Sequence, residues 1–299
     1  MTMRAYPALA TGIQWLGLGA ISLFVASNLF MVAVQIGLIL AGSDAIDWHI
    51  YVAATERFGD GTLYERSEWW YAWRYSPIAV FPLLLIAPIG ETAWRLLLGL
   101  SLVGLPGPAR FLALASYPFW FAIHAGSLIV PIVVVAYLAL RGHRWAIGVF
   151  LCLALLVPRP LMFPIAAWLL WTHPPWRRPF VGLFVLHATA VVASGYAEEW
   201  LAALVITAPE EVAQVFNVAP SALIGLSWLL LSVPLAIWAL AAERPALSGL
   251  LLQPYWLPYY LLILLADALP ARSWWLSRLT AFRPPVGAGG SGPQAAGPG

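Results

Sequence analysis

The class of this protein is decided by residues 13–41, which read IQWLGLGAISLFVASNLFMVAVQIGLILA. A cleaved signal peptide has an apolar core of only about 7–15 residues, whereas a transmembrane helix needs about 20. This run therefore predicts a retained membrane helix. Over the whole chain of 299 residues, 62% are hydrophobic and 9% are charged. Soluble domains carry about 25% charged residues, so the composition predicts an integral membrane protein. The net charge of +2 gives no reason to expect a nucleic-acid partner.

Further apolar segments follow the first, and several are too short to cross a bilayer alone. They lie near 77–105, 111–123, 127–140, 145–157, 161–171, 180–195, 219–241 and 246–268. Short or broken helices are tolerated in a membrane only where protein or a water-filled cavity satisfies the backbone. We therefore expect an all-α, polytopic helical bundle of about 8–10 membrane segments around an internal cavity. It should form one domain over residues 1–283, and the Gly/Pro-rich tail 284–299 should be disordered.

The arginines indicate which side of the membrane the loops face. The loops RGHR (141–144) and THPPWRR (172–178) are basic and contain no acid, so the positive-inside rule places both in the cytoplasm. The two apolar segments between them must then form a hairpin of short helices. Its tip, VPRP at 157–160, would point outward.

The acidic residues are concentrated in two other places. Ten of the thirteen acids fall within residues 44–68 and 198–211. Counting spans from a cytoplasmic N-terminus places the loops that hold them, 42–76 and 196–218, outside. We therefore expect a multi-pass protein of the cell (plasma or inner) membrane, with the lipid bilayer as a partner and its polar chemistry on the extracytoplasmic face.

The first outer loop carries the clearest chemical pattern. Asp47 and Tyr51 are four residues apart, so they share one face of a helix. Asp44 precedes Asp47 by three residues and is a candidate cap for that helix. An acid just beyond a membrane helix, in a partly dry setting, can act as a general base on a sugar hydroxyl. The alternative is that both acids are solvated loop residues or caps.

Aromatic residues cluster where this loop returns to the membrane. The five are Trp69, Trp70, Tyr71, Trp73 and Tyr75. One interpretation is an interfacial aromatic belt, which is common in membrane proteins. The other is an aromatic groove that suits the apolar faces of sugars and prenyl chains. Arg66 and Arg74 are placed to bind a phosphate as well as local acids.

The order of these residues resembles glycosyltransferase family 87, a GT-C branch of polyprenyl-phosphate-sugar-dependent enzymes that includes bacterial mannosyltransferases. The pattern is D-x-x-x-Y, then a Gly turn with L-Y, then an aromatic-Y-x-P entry to the next helix. The matching residues are Asp47, Tyr51, Gly61, Leu63, Tyr64, Tyr75 and Pro77.

Shorter elements downstream carry the resemblance further, with differences. Residues 116–131 stand where the family has Gly-Gln-x-Asn, but Gly126 is followed by Ser127. Arg159-Pro160 resembles the Lys-Pro element. The stretch QPYWLPYY at 253–260 resembles a late Ser-Pro…His-Tyr element, with Gln253 in place of Ser and Tyr259 in place of His.

The resemblance implies transfer of a sugar, most simply mannose, from a polyprenyl-phosphate-linked sugar to a lipid or glycan acceptor, with inversion. Asp47 would be the catalytic base, and Arg159 would stabilise the lipid phosphate that leaves. An unpaired arginine in the bilayer costs at least about 2.5–3.5 kcal/mol, so Arg159 should have a partner. The alternative is an ordinary loop arginine between two prolines.

Several further residues are candidates for substrate binding. They are Asp44, Tyr51, Tyr64, Arg74, Tyr75, His124 and Tyr259. An ionisable group within an apolar segment, such as His124, is a functional candidate by default, although a packing histidine is the competing interpretation. The sequence has no metal-ligand spacing such as HExxH and no phosphate-cradling loop, so we expect neither a metal nor a cofactor.

Two rival functions remain open. A transporter or flippase for a lipid-linked glycan could use the same aromatic groove and arginine. A catalytically inactive GT-C-like scaffold is the other, because the Gln-x-Asn and His residues are missing. Asp47 discriminates the transferase from the transporter, because a transferase should lose turnover but keep donor binding when this residue becomes Asn.

Overall fold

The computed structural model describes residues 7–65, 73–204 and 217–268. These ranges are helical and contain no strand, which confirms the predicted all-α fold. Arg66, Trp69, Trp70, Tyr71, most of the second outer loop and the tail 284–299 lie outside the described residues.

The α-helices of the described ranges are short apart from the first. In chain order they are α1 (Pro7–Leu40), α2 (Ile46–Asp60), α3 (Val80–Ile86), α4 (Glu91–Ser101), α5 (Gly107–Leu114), α6 (Tyr117–Ala125), α7 (Ile129–Leu140), α8 (Arg144–Leu156), α9 (Phe163–Thr172), α10 (Arg177–Ala193), α11 (Ala197–Leu204), α12 (Ser221–Ile224), α13 (Trp228–Ala241), α14 (Pro245–Leu252) and α15 (Leu264–Ala268). Six 3₁₀ helices extend or join them, at Pro77–Ala79, Ala87–Ile89, Leu102–Gly104, Pro174–Trp176, Gly225–Ser227 and Pro258–Ile263.

One helix of the described residues is long and apolar enough to cross a bilayer, the Leu18–Leu40 part of α1. Two bent pairs could add one span each: Pro77–Ile89 with Glu91–Gly104, and Pro174–Ala193 with Ala197–Leu204. The bends are 112° and 113°. The described part of the chain thus offers one span, or up to three, and the larger number expected from hydropathy stays a prediction.

The bend between Pro77–Ile89 and Glu91–Gly104 has a local cause. Gly90 stands at the break with φ 78° and ψ 161°, a conformation open essentially to glycine alone. The chain therefore turns sharply at Gly90, and α4 starts in a new direction. Glu91 and Arg95 then form an i,i+4 ion pair across 2.9 Å.

Helix α2 carries the polar face of the first outer loop. Its N-cap is Ala45, and no side chain caps it, so the expectation that Asp44 caps this helix is wrong. The Ala45 N–H instead donates to Oε1 of Glu91 at 3.1 Å. Trp48 and Tyr51 are buried on the inner face of α2, one helical turn apart.

The turn between α6 and α7 packs directly against the start of α2. Gly126 has φ 74°, and a Cβ added there would lie 3.1 Å from the Ala45 Cβ and 3.3 Å from the Trp48 backbone nitrogen. A glycine is therefore needed at this position for the two segments to approach. The approach brings the residue that follows it, Ser127, to the first turn of α2.

The predicted hairpin of short helices is present as α8 and α9, joined by residues 157–162. Helix α14 crosses this connection so closely that a Cβ on Gly249 would lie 2.1 Å from the carbonyl oxygen of Leu161. Gln253, at the end of α14, accepts a hydrogen bond from the Leu161 N–H at 3.4 Å. The turn that carries Arg159 is therefore held by backbone packing and not by its own two helices alone.

Candidate functional site

Asp47 lies in the first turn of α2 and faces inward. Its Oδ2 accepts a hydrogen bond from the Tyr259 hydroxyl at 3.3 Å, and the Ser127 side chain also hydrogen-bonds to the carboxylate. The surrounding protein removes water from the carboxylate, and this desolvation raises the pKa of Asp47. The contacts with Ser127, Arg159 and Tyr259 oppose the rise but do not cancel it. As a whole residue, Asp47 is nevertheless only partly buried.

Arg159 lies in the connection between α8 and α9. Its Nη2 donates to the hydroxyl of Tyr75 at 2.8 Å. The guanidinium carbon is 5.1 Å from the centroid of the Tyr75 ring and 5.2 Å from that of Tyr260, within cation–π range. The two rings supply the partner that Arg159 was expected to have.

Asp47 and Arg159 belong to the same site. Their charges interact electrostatically, although the described residues contain no direct ion pair between the two. This meeting joins the first outer loop to the α8–α9 connection.

Tyrosines surround the two charges. Tyr51 accepts a hydrogen bond from the Leu128 N–H at 3.3 Å, and its ring centroid is 6.2 Å from that of Tyr75. Tyr259 packs edge-on against Tyr260 at 4.9 Å. Tyr255 is partly exposed and interacts electrostatically with Arg159, Arg74 and Asp47. The site thus combines aromatic walls, one carboxylate and two cations.

Most of the residues predicted from the sequence meet at this site. Asp47, Tyr51, Tyr75, Arg159 and Tyr259 form its centre, and Arg74 joins through Tyr255. Tyr64 supports the centre through the backbone of Tyr75, since its hydroxyl donates a hydrogen bond to the Tyr75 carbonyl at 2.8 Å.

The structure places two other candidates among different partners. Nδ1 of His124 lies 2.6 Å from Oε1 of Gln35, a contact that ties α6 to α1. Asp44 is exposed and lies with His49, 3.9 Å from its Nε2. For His124 this environment favours the packing interpretation, and Asp44 lies just beyond the C-terminal end of α1.

Ser127 and Tyr255 are site residues that the sequence analysis missed. The sequence held a signal for Ser127 only. Ser127 stands at the position of the amide in the Gly-Gln-x-Asn element, and a serine can hydrogen-bond a carboxylate as an amide can. Tyr255 lies two residues after Gln253 in a stretch already compared with the family, but nothing in its spacing separates it from the neighbouring aromatics.

A second cluster of polar groups lies at the start of α2. The carboxylates of Asp44 and Glu91 and the imidazole of His49 offer ligand atoms that lie within 4.8 Å of one another. These residues come from three segments with no motif spacing, which is why the sequence predicted no metal. Carboxylate oxygen and imidazole nitrogen are ligand types that divalent cations use in proteins.

The chain was compared with known proteins as a whole. No protein-family model matches it, and no curated protein or solved structure is detectably similar to it.

Proposed function

We propose that this chain is a membrane glycosyltransferase of the GT-C type. It transfers a sugar, most simply mannose, from a polyprenyl-phosphate-linked donor to a hydroxyl of a lipid or glycan acceptor on the extracytoplasmic face of a multi-pass protein. The observation that supports the proposal most directly is the meeting of Asp47 and Arg159 in one tyrosine-lined site. Asp47 suits the role of the base in such a reaction, and Arg159 suits the stabilisation of the leaving group.

In this mechanism Asp47 takes the proton from the acceptor hydroxyl. The hydroxyl oxygen forms a bond to the anomeric carbon while the bond from that carbon to the phosphate oxygen breaks. A carboxylate in a desolvated site has a pKa closer to neutrality than a solvated one, which makes it a stronger proton acceptor. Ser127 and Tyr259 hold the carboxylate in place by hydrogen bonds.

The polyprenyl phosphate leaves with the electron pair of the broken bond, so its negative charge increases. Arg159 is the group that would stabilise this charge, since a guanidinium matches phosphate oxygens with two parallel donors. Of the guanidinium nitrogens of Arg159, Nη2 donates the hydrogen bond to Tyr75. The base and the cation would then lie on opposite sides of the anomeric carbon, as inversion by direct displacement requires.

The aromatic walls suit the donor and the acceptor. Rings bind the apolar faces of sugars and the hydrocarbon of a prenyl chain, because both bury apolar surface against them. Tyr51, Tyr75 and Tyr259 supply such rings within the site. The Leu18–Leu40 helix, most of whose side chains are exposed, would bring this site close to the lipid from which the donor comes.

The proposal is tested by sugar transfer with the purified full chain. The substrates are radiolabelled polyprenyl-phosphate mannose and a membrane lipid extract, and donor binding is measured in parallel. Asp47→Asn should reduce turnover by about 10²–10⁴-fold, the usual contribution of general base catalysis, and keep donor binding. Glu56→Gln, which removes an exposed carboxylate from the same helix, is the matched control and should transfer normally.

Other outcomes would contradict the proposal in distinct ways. Equal transfer by the wild type and Asp47→Asn would remove Asp47 from the mechanism. Donor binding without transfer by any variant would favour a transporter or flippase. Neither binding nor transfer would favour an inactive scaffold or a different sugar.

A further inference from the structure

A cluster of three side chains that offer metal-ligand atoms, Asp44, His49 and Glu91, lies at the C-terminal end of α1, apart from the proposed transfer site. His49 Nε2 is 3.3 Å from Oε2 of Glu91 and 3.9 Å from Oδ1 of Asp44. All three ligand atoms lie within 4.8 Å of one another. Three ligands of the right chemistry therefore converge on one point from three segments of the chain.

The distances fit a transition-metal ion. Zinc binds imidazole nitrogen at about 2.0–2.1 Å and carboxylate oxygen at about 2.0–2.2 Å, which places two ligands of a tetrahedral ion about 3.4 Å apart. The distance between His49 and Glu91 already has this value. Asp44 needs only a small rotation to join, and its exposed side chain is free to make it.

Glu91 is already oriented for such a role. Its Oε1 accepts hydrogen bonds from Nη2 of Arg95 at 2.9 Å and from the Ala45 N–H at 3.1 Å. These bonds fix the carboxylate and direct its other oxygen, Oε2, toward His49. Supporting contacts of this kind accompany metal ligands in proteins. Arg95 is itself anchored by the carbonyls of Ser43 and His124, at 2.5 Å and 3.0 Å.

The charge of the cluster also suits a cation. Among the described residues whose contacts are given above, the carboxylates of Asp44 and Glu91 stand against the guanidinium of Arg95, so this group carries a net negative charge when the imidazole is neutral. The open side at Asp44, whose side chain is 69% exposed, gives an ion an entry path and leaves water to complete its coordination.

We propose that Asp44, His49 and Glu91 bind a divalent cation of the Zn²⁺ class. The ion joins the link after α1, the first turns of α2 and the start of α4. His49 is two residues from Asp47, so the ion holds the segment that positions Asp47. This metal binding does not depend on the transfer reaction and can be measured without it.

The test is isothermal titration calorimetry of ZnCl₂ into the full chain in detergent micelles. The wild type should bind one equivalent at this site. His49→Gln and Asp44→Asn should each weaken binding by at least about tenfold, since even residues that only support ligands change affinity by about 10–100-fold. Glu56→Gln on the same helix and His143→Gln, an exposed histidine elsewhere, are the controls and should bind as the wild type does.

A second measurement protects the test against misfolded variants. Zinc should raise the Tm of the wild type, and the increase should be lost in Asp44→Asn, whose exposed side chain can change without disturbing the core. The absence of stoichiometric binding by the wild type would overturn the proposal. So would binding that His49→Gln and Asp44→Asn leave unchanged.

Discussion

Arg159 and Tyr75 are joined by a hydrogen bond of 2.8 Å from the guanidinium Nη2 to the phenol oxygen. A backbone hydrogen bond joins the same two segments, since the Ser76 N–H donates to the Leu156 carbonyl at 2.9 Å. The end of the first outer loop is therefore attached to the connection between α8 and α9 by both side chain and main chain. On the proposed function, this attachment fixes the distance between the base and the phosphate-binding cation.

Replacing Tyr75 by Phe tests the positioning of Arg159. The ring and its cation–π contact remain, but the hydrogen bond is lost. Bonds to charged groups contribute about 1.5–3 kcal/mol, so kcat/KM for the donor should fall by about 10–100-fold. Tyr137→Phe is the matched control, because Tyr137 packs under Arg141 in a similar pair elsewhere. Equal effects of the two substitutions on transfer kinetics would contradict a specific role for Tyr75.

Replacing Arg159 itself separates charge from geometry. Arg159→Gln removes the cation and should lower kcat by about 10²–10³-fold, the range found when a stabilising donor is removed from a transition state. Arg159→Lys keeps the charge but not the planar pair of donors, so it should fall between Gln and the wild type. Steady-state transfer kinetics measure both, with the exposed Arg144→Gln as the control. Normal donor binding and kcat in Arg159→Gln would refute the assigned role.

The desolvation of Asp47 predicts a dependence of stability on pH. Its pKa is raised in the folded state above the ordinary value of 3.8, so the folded protein holds this proton more tightly than the unfolded chain does. The stability that this provides is present below pH 3.8 and is lost as the pH rises through the folded pKa. The Asn side chain in Asp47→Asn cannot ionise, so this variant does not lose that stability as the pH rises. Its Tm should therefore exceed that of the wild type near pH 7.5, and the difference should shrink toward pH 4.

Thermal unfolding in detergent over this pH range measures the effect. Glu56→Gln serves as the control for the general loss of an acidic charge on α2. A lower Tm for Asp47→Asn at neutral pH would show that the contacts of the carboxylate with Ser127, Tyr259 and Arg159 outweigh its desolvation. The same ionisation predicts that transfer declines on acidification at a pH above 3.8.

Gly249→Ala tests whether α14 positions the Arg159 turn. The new Cβ would lie 2.1 Å from the Leu161 carbonyl oxygen, and a backbone atom has to move to admit it. Overpacking of this kind costs about 1–3 kcal/mol, and the movement should also reduce transfer. Gly182→Ala in α10 is the control, because nothing lies within 4 Å of its added Cβ. Measurements of Tm and of transfer together would detect the two effects, and a fully active Gly249→Ala would contradict the link.

Features that depend on neighbours in sequence were predictable. The two short apolar segments between the basic loops predicted the helix pair α8 and α9. The cap of α2 was not predictable in this way. Asp44 has the right chemistry for a cap, but Glu91, remote in sequence, takes the Ala45 N–H instead.

The apolar composition by itself determined that the chain is helical and able to enter a membrane, since long hydrophobic runs favour helices through interactions between residues close in sequence. The sequence of the first loop by itself also determined a helix in which Asp47 and Tyr51 share one face. The tertiary structure alone decided that Asp47, Arg159 and Tyr259 meet, that Ser127 joins them, and that His124 does not lie with them but pairs with Gln35. The reason is physical: turns and helices follow from interactions over a few residues, whereas a shared site and its desolvation arise only when distant segments pack together.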